Sequence, residues 1–400
     1  MLTRQGWLVG IGALALLVAG RILGLLELFA LGVVTAVLIV GCAALVHAAR
    51  LELEVGRVLH PSRVHVGTPS RVELSVRNLR SSRTPVLRLR DPVSGTRGAD
   101  LLVPPLSTSE RTVTAYRLPT DRRGLVRVGP LEVVVGDPFG LVQLATAGAP
   151  EVQLTVLPHV DDIAPMPYTH AHDPQAGVRQ RNALGRTGEE FYALRPYVVG
   201  DDLRRIHWPS SARTDELLVR QNELPWQGRT TVLLDVRSAA HQGDSIEVAV
   251  SAAASVITAT ARRQDLVRLV TTGGSDSEFA PGTEHINALM EHLAVLVPSR
   301  NGSLLRTIEL LNRRSSGGAL VAIVAGVPAE DLRAIGTLRS RYGSVTVVHF
   351  DRSSWEPGAP VGPALDPYAL RITSEAPFAT AWNSYVRLAS NGRSRIGARR

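Results

Sequence analysis

The sequence predicts a multidomain protein with a two-helix transmembrane hairpin, an antiparallel β-sandwich and an α/β domain, in that order along the chain. Residues 7–46 are almost continuously apolar, and apolar residues recur with a period of two over residues 51–159. From residue 229 onward, apolar strands alternate with amphipathic helices. A chain of 400 residues is long enough for two or three domains.

Residues 1–50 are expected to form the transmembrane hairpin. The second apolar run, residues 28–46, has 19 residues without a charge, which is about the length that crosses a 30 Å hydrocarbon core. The first run, residues 7–20, reaches that length if it extends to residue 26 and Arg21 points toward the interface. A signal peptide followed by one span is the alternative. It lacks a basic n-region beyond Arg4 and a small-residue cleavage site before the second run.

The charges around these two runs predict their orientation. Arg4 precedes the first run, and Arg50 and Arg57 follow the second, whereas Arg21 in the connection is balanced by Glu27. By the positive-inside rule both ends of the hairpin face the cytoplasm. We therefore expect a multi-pass protein of the cell membrane, held in the lipid bilayer, with its other domains in the cytoplasm.

The composition argues against nucleic acid as a partner, although the formal net charge is +8. All 44 basic residues are arginine, a bias typical of codon usage, and they are spread along the chain among acidic residues without a recognised DNA- or RNA-binding motif. Cys42 is the sole cysteine, which excludes a disulfide within the chain and a structural thiolate zinc site.

Residues 51–159 are predicted to form the β-sandwich. Short alternating segments are bounded by Gly, Pro, Ser or Asn, and a helical stretch is missing from the pattern. We expect a scaffold or interaction surface here and find no candidate site. The alternating apolar residues are Leu51, Leu53, Val55, Val72, Leu74, Val76, Leu87, Leu89, Val126, Val128, Leu131, Val133 and Val135.

Residues 160–184 are predicted to be a linker, because they are rich in Pro, His, Asp and Gln and have no periodicity. The run His170-Ala171-His172-Asp173 invites a metal interpretation. Histidines two apart face one ion only on an extended chain, and the metallo-hydrolase pattern needs a spacer before its aspartate and a further histidine. A solvated linker explains the run better.

Residues 185–220 hold the densest group of charged and aromatic side chains in the chain. Two interpretations stay open: a buried lattice of arginine–carboxylate pairs, and a docking surface for a partner protein. A catalytic interpretation lacks a nucleophile and base at any recognised spacing. Gly200, Asp201 and Asp202 predict a turn into a short helix, which Pro209 is expected to end.

The α/β domain is predicted to contain a parallel sheet covered by helices on both faces. Ligands of such sheets bind outside the carboxyl ends of the strands. Residues 374–400 are expected to form a helix around residues 382–388 and then a disordered tail. The predicted strands are residues 230–235, 266–271, 319–325 and 345–350, and the predicted helices are residues 246–263, 284–297, 304–314 and 329–342.

Residues 185–373 are similar to the domain-of-unknown-function 58 family (DUF58), whose signature they carry. The matching positions are Gly188, Phe191, Arg195, Tyr197, Gly200, Asp201, Asp202, Arg204, Arg205, Ile206, Trp208, Ser211, Ala212 and Arg213. His207 stands where the family usually has Asp or Asn, and Pro209 where it usually has Lys. Residues 123–141, which end in Asp-Pro-Phe-Gly-Leu, also resemble the part of family members that precedes the signature.

The resemblance implies a von Willebrand A-like, Rossmann-like fold for the α/β domain. In that fold an Asp-x-Ser-x-Ser run at the end of the first strand binds a divalent ion. Here Asp235 matches, but Arg237 and Ala239 occupy the two serine positions, and residues 326–328 contain no later acidic ligand. We therefore predict a degenerate site with no metal or cofactor, in which Asp235 pairs with an arginine or caps the next helix.

The resemblance also implies partners. Members of this family are typically encoded beside MoxR-type AAA+ ATPases and sometimes beside transglutaminase-like membrane proteins. The expected function is a membrane-anchored, non-enzymatic adaptor or assembly factor that acts with such an ATPase. The alternatives are a metal-dependent hydrolase that uses the Asp235 loop, and an envelope structural protein with its large domains outside the cell.

Overall fold

The computed structural model describes residues 2–48, 52–166, 191–197, 206–214, 216–222, 228–313, 317–363 and 369–397. The chain divides into two compact units. One contains residues 1–159 and 291–295, and the other contains residues 160–290 and 296–400.

The N-terminal hairpin consists of α1 (Arg4–Leu23) and α2 (Leu26–Ala48). Thr3 caps α1, since its hydroxyl accepts a hydrogen bond of 2.9 Å from the Gly6 N–H. Gly20 lets the helices approach closely, because a Cβ there would lie 2.5 Å from the Phe29 nitrogen. Both helices are long and apolar enough to cross a membrane, which makes the hairpin compatible with membrane anchoring.

The next segment forms three small sheets that share one apolar core, with Leu74, Leu89 and Leu154 fully buried in it. The strand orders are β1-β3-β6, β2-β10-β7 and β5-β4-β8-β9. The pairs are antiparallel except β2 with β10, which is parallel and departs from the predicted all-antiparallel pattern. The strands are β1 (Leu53–His60), β2 (Arg63–His65), β3 (Ser70–Asn78), β4 (Leu87–Asp91), β5 (Ala99–Val103), β6 (Arg111–Leu118), β7 (Gly124–Val128), β8 (Leu131–Gly136), β9 (Gln143–Ala149) and β10 (Val152–Leu157).

A buried ion pair ties these sheets together. The Arg57 Nη2 lies 2.8 Å from Asp91 Oδ1, and the two side chains are 1% and 0% exposed. Asp91 also accepts a hydrogen bond of 2.6 Å from the Tyr116 hydroxyl, and Arg57 Nη1 donates to the Val128 carbonyl at 2.8 Å. Burial raises the pKa of Asp91, and the hydroxyl of Tyr116 and the charge of Arg57 oppose that shift.

The second unit is built on a five-stranded, fully parallel sheet of order β14-β13-β15-β16-β17. All seven residues of the central strand β15 are buried, as expected for a strand covered on both faces. The strands are β13 (Arg229–Leu234), β14 (Leu266–Thr271), β15 (Ala319–Ala325), β16 (Ser344–Phe350) and β17 (Ala369–Ile372), and the helices between them are α4 (Ser245–Ala261), α5 (Thr283–Val295), α6 (Leu304–Arg313) and α7 (Ala329–Thr337).

The signature region adds β11 (Phe191–Pro196), α3 (Trp208–Thr214) and β12 (Leu218–Asn222), and β11 pairs with β12 in an antiparallel ribbon. The expectation that Pro209 ends a helix is wrong, because α3 begins at Trp208 and contains Pro209 in its first turn. Proline is tolerated there, since the first N–H groups of a helix have no acceptor within it.

Two other predictions are corrected. Residues 160–166 are not solvated linker: Ile163 is buried, and the Asp161 N–H donates to the Ser255 hydroxyl at 2.9 Å. Helix α8 (Phe378–Gly397) runs through residues that were predicted to be a disordered tail. Its buried first turns, with Phe378 and Trp382, provide the nucleus from which each further residue extends the helix at little cost.

We predict that Asp91→Asn lowers the free energy of unfolding by about 3–5 kcal/mol, because it leaves the buried Arg57 guanidinium without its counter-charge. Asp100→Asn is the matched control, since the Arg88–Asp100 pair is 51% and 46% exposed and contributes about 0–1 kcal/mol. Denaturant unfolding of the full chain in detergent micelles measures both. Equal effects of the two substitutions would contradict the prediction.

Candidate functional site

The strand order places a topological switch point between β13 and β15. The chain passes from β13 to β14 on one side and then returns to β15 on the other side. Because all strands are parallel, their carboxyl ends meet at one edge of the sheet, and crevices at a switch point are where ligands of such sheets bind. Asp235 follows β13 and Gly326 follows β15 at this point.

Asp235 is fully buried and has several hydrogen-bond donors around its carboxylate. The Thr272 hydroxyl, just beyond β14, donates to Oδ1 at 3.0 Å. The Arg237 guanidinium contacts both oxygens: its Nε lies 2.9 Å from Oδ1 and its Nη2 lies 2.7 Å from Oδ2. The predicted pairing of Asp235 with an arginine is therefore present.

The guanidinium of Arg237 lies directly on the carboxylate that would be the first ligand of a divalent ion. Its hydrogen bond to Asp235 raises the pKa of Arg237, although burial opposes the shift, so the positive charge persists at all physiological pH. Ala239 offers no hydroxyl at the other serine position. Among the residues that the structure describes, no cluster of three or more His, Cys, Asp or Glu could hold a metal ion.

Close contacts hold the loop after β13 in place. Gly326 has a φ of +55°, and a Cβ there would lie 3.1 Å from the Ala240 carbonyl oxygen. A Cβ on Gly302 would lie 3.0 Å from the Arg237 Cγ. Within the loop, the Nε2 atom of His241 lies 2.8 Å from the Asp235 carbonyl oxygen. The loop after β13 is therefore packed closely against Gly302 and Gly326.

An open cleft of about 630 Å³ lies beside it, where β15 and β16 end. His349, Asp351 and the Pro/Gly-rich residues 356–363 contribute to its lining. Asp351 Oδ1 accepts from the Ser353 hydroxyl at 2.8 Å, and Oδ2 accepts from Arg371 Nη1 at 2.7 Å. Burial by itself would raise the pKa of Asp351, but the hydrogen bonds from Ser353 and Gly362 and the charge of Arg371 hold it below its usual range.

His349 is the unusual group in this cleft. It is 1% exposed, and neither of its ring nitrogens has a hydrogen-bond partner. Burial lowers the pKa of His349, while the carboxylate of Asp351 opposes the shift. The imidazole is therefore held neutral and unsatisfied, which is a cost to the fold.

The structure describes only some of the residues of the family signature. Ile206 and Ser211 are buried, Ala212 and Arg213 are exposed, and the side chain of Trp208 is 63% exposed. Phe191 and Arg195 belong to β11, and Tyr197 follows that strand, with its N–H donating to the Leu217 carbonyl at 2.7 Å. The signature positions Gly188, Gly200, Asp201, Asp202, Arg204 and Arg205, and the run of residues 170–173, lie outside the described residues.

Sequence reasoning missed Thr272, His241, His349 and Asp351. Asp351 could have been predicted from the sequence, because it follows an apolar strand directly, as Asp235 does. Thr272 and His349 could not, since they lie at the ends of separate strands that come together only when the sheet forms.

Three comparisons with known proteins bear on this chain. A model of the family described as "Protein of unknown function DUF58" matches residues 193–353. No curated protein matches. Solved structures match at probability 1.00, as the following two examples show.

The CARDB domain of the PF1109 protein from Pyrococcus furiosus, in complex with di-metal ions, is 21% identical. The match covers 27% of this chain and 92% of that domain with a TM-score of 0.21. The alkylpurine DNA glycosylase AlkC of Pseudomonas fluorescens, bound to DNA with an abasic site analog, is 10% identical. That match covers 32% of this chain and 39% of AlkC with a TM-score of 0.20. At such TM-scores neither likeness supports a statement about fold or function.

We predict that isothermal titration of the full chain with Mg²⁺ or Mn²⁺ gives no micromolar binding, because the Arg237 guanidinium holds both oxygens of Asp235. Micromolar binding that Asp235→Ala abolishes would contradict this. Asp351→Asn serves as the matched control, since that carboxylate follows β16 of the same sheet and is also paired with an arginine.

We also predict that His349→Leu makes the protein more resistant to acid. The folded-state pKa of His349 is lowered, so the unfolded chain binds more protons as pH falls below about 6.5, and the free energy of unfolding falls with it. Leucine does not titrate, so the substitution removes this loss of stability at low pH. It also removes two buried nitrogens without hydrogen-bond partners, each of which costs about 1–3 kcal/mol.

The measurement is the melting temperature of both proteins between pH 8 and pH 5. His241, whose pKa is also lowered by burial, stays in both proteins. His60→Leu, at an exposed position, is the control substitution. An unchanged slope for His349→Leu would show that His349 does not contribute.

Proposed function

Since residues 193–353 belong to the DUF58 family, we propose that this chain is a membrane-anchored, non-enzymatic adaptor or assembly factor. The hairpin α1–α2 holds the protein in the bilayer with both ends in the cytoplasm. The parallel-sheet unit is von Willebrand A-like and presents a docking surface to a MoxR-type AAA+ ATPase, with a transglutaminase-like membrane protein as a further partner.

The observation that carries this proposal is the exposure of Trp208. Its neighbours Ile206 and Ser211 are 6% and 7% exposed, whereas Trp208 is 63% exposed. The segment is fixed to β12 by backbone hydrogen bonds, among them His207 N–H to the Leu218 carbonyl at 2.8 Å, and by the Ser211 hydroxyl, which accepts from the Leu218 N–H. A tryptophan displayed by a rigid segment loses little entropy on binding, and tryptophan is enriched among the residues that dominate interface energies.

An exposed arginine in the same helix supports a protein partner. Arg213, in the last turn of α3, is exposed like Trp208. A planar guanidinium suits recognition of a carboxylate on a partner surface. The signature residues Arg204 and Arg205, which precede this helix in the sequence, are proposed to take part in the same recognition.

The pairing of Asp235 with Arg237 supports the non-enzymatic part of the proposal. A hydrolase built on Asp235 needs that carboxylate free to bind an ion or to move a proton. The bidentate contact with Arg237 occupies both oxygens, and Asp235 is fully buried. An adaptor needs only the rigid surface that this pairing produces.

We predict that Trp208→Ala weakens capture of a MoxR-type ATPase about thirtyfold or more, because truncating a central aromatic costs about 2 kcal/mol or more. Arg204→Glu and Arg205→Glu are expected to abolish capture by reversing the charge. Pull-down from detergent extracts and titration of the purified ATPase measure the loss.

Val297→Ala is the control, since Val297 is 74% exposed and lies in the same unit outside the signature. Circular dichroism of each variant checks that the fold persists. Unchanged capture by all three signature variants would rule out this surface.

A further inference from the structure

The turn between β8 and β9, residues 137–142, is packed on the start of α1. The Thr3 N–H donates to the Leu141 carbonyl at 2.9 Å, and the Thr3 hydroxyl donates to the Gly140 carbonyl at 2.6 Å. A Cβ on Gly6 would lie 2.1 Å from the Leu141 carbonyl oxygen, so only glycine permits this approach. The turn and the first turn of the helix therefore form one rigid contact.

The apolar side chains of this turn reach along the helices. Leu141 and Val142 are buried in a cluster with Cys42 and Val46 of α2, and Val9 packs against it. Val9 lies five residues beyond the start of α1, which is about 8 Å along the axis at 1.5 Å per residue. Leu141 thus contacts residues within the apolar spans and not only their ends.

Phe139 projects from the same turn and is 62% exposed. Its position is fixed, because Asp137 Oδ1 accepts from the Phe139 N–H at 2.8 Å and Oδ2 accepts from the Val142 N–H. Gly140, with a φ of +69°, completes the reversal. The turn therefore fixes the backbone of Phe139, and the ring is exposed on the surface.

Trp7, one turn into α1, is also 62% exposed. Aromatic side chains are enriched at the two interfaces of a membrane, where their rings lie at the headgroup level. Arg4, at the start of α1, places a positive charge at the same end of the hairpin, where anionic headgroups attract it.

We propose that residues 137–142 form a third membrane contact, in which Phe139 is seated in the interfacial layer of the phospholipid bilayer beside the hairpin. This inference rests on the membrane anchoring in the proposed function. It gives the β-sheet unit a direct contact with lipid, so that the unit is held at the membrane surface and not merely tethered to it.

The test uses the full chain with Cys42 unchanged, since it is only 5% exposed and packs against the turn. Single exposed cysteines are added and labelled with an environment-sensitive fluorophore, and the chain without an added cysteine gives the background from Cys42. Phe139→Cys probes the turn, and Val37→Cys, 64% exposed in the middle of α2, probes the span. Leu102→Cys is the matched control, since it is 72% exposed on β5, the edge strand farthest from β9 in the same sheet. Each protein is reconstituted into vesicles of phosphatidylcholine and phosphatidylglycerol in a 4:1 ratio.

Quenching by lipids with a doxyl group near the headgroup gives the depth of each probe. We expect the probe at 139 to be quenched at least twofold more than the probe at 102, and to be protected from aqueous iodide. Equal quenching at 139 and 102 with strong quenching at 37 by deep doxyl lipids would overturn the turn contact and leave the hairpin in place. No quenching at 37 would overturn the anchoring and this inference together.

Discussion

A carboxylate with no exposure at the switch point of a parallel sheet must be neutralised by the protein itself, because its burial without a partner is costly. Asp235 is neutralised by Arg237, two residues further along the same loop. The pair orders the whole loop: Thr272 adds a hydroxyl to the carboxylate, and His241 holds the backbone carbonyl of Asp235. The Arg237 guanidinium therefore occupies the position beside Asp235 where an ion could otherwise bind, and the loop is held in place.

The same hydrogen-bonded turn is present after three strands, β8, β13 and β16, each of which is followed directly by an aspartate. In each case the Oδ1 atom accepts from the N–H two residues on: Asp137 from Phe139 at 2.8 Å, Asp235 from Arg237 at 3.1 Å and Asp351 from Ser353 at 3.1 Å. This turn, in which the aspartate side chain imitates a backbone carbonyl, reverses the chain without a further ligand. It gives all three aspartates a structural role in their own units, and two of them are in addition paired with arginine.

The sequence was sufficient to predict a strand or a contact where all the residues that determine it lie in one segment. Strands β14 and β15 begin and end where predicted, because runs such as Ala-Leu-Val-Ala-Ile-Val-Ala are buried on both faces. The pairing of Asp235 with an arginine was predictable because both lie in one turn. By contrast, β17 has four residues with only Ile372 buried, too short for a periodic signal, and Pro209 was misinterpreted because proline permits a helix start as readily as it ends one. His349 was unpredictable, since its isolation depends on neighbours from other strands.

An aspartate that follows a strand is therefore ambiguous by itself, and the cation that contacts its carboxylate resolves it. Where the protein supplies no cation, a bound ion can complete the shell. With Arg237, the cation is covalently part of the chain, and an incoming ion would have to displace a guanidinium that makes two charge-assisted hydrogen bonds. Asp351 has a serine, Ser353, two positions later, but its carboxylate is likewise paired with an arginine, since Arg371 reaches across from the neighbouring strand β17. At both strand ends the carboxylate is thus paired with an arginine of the protein itself.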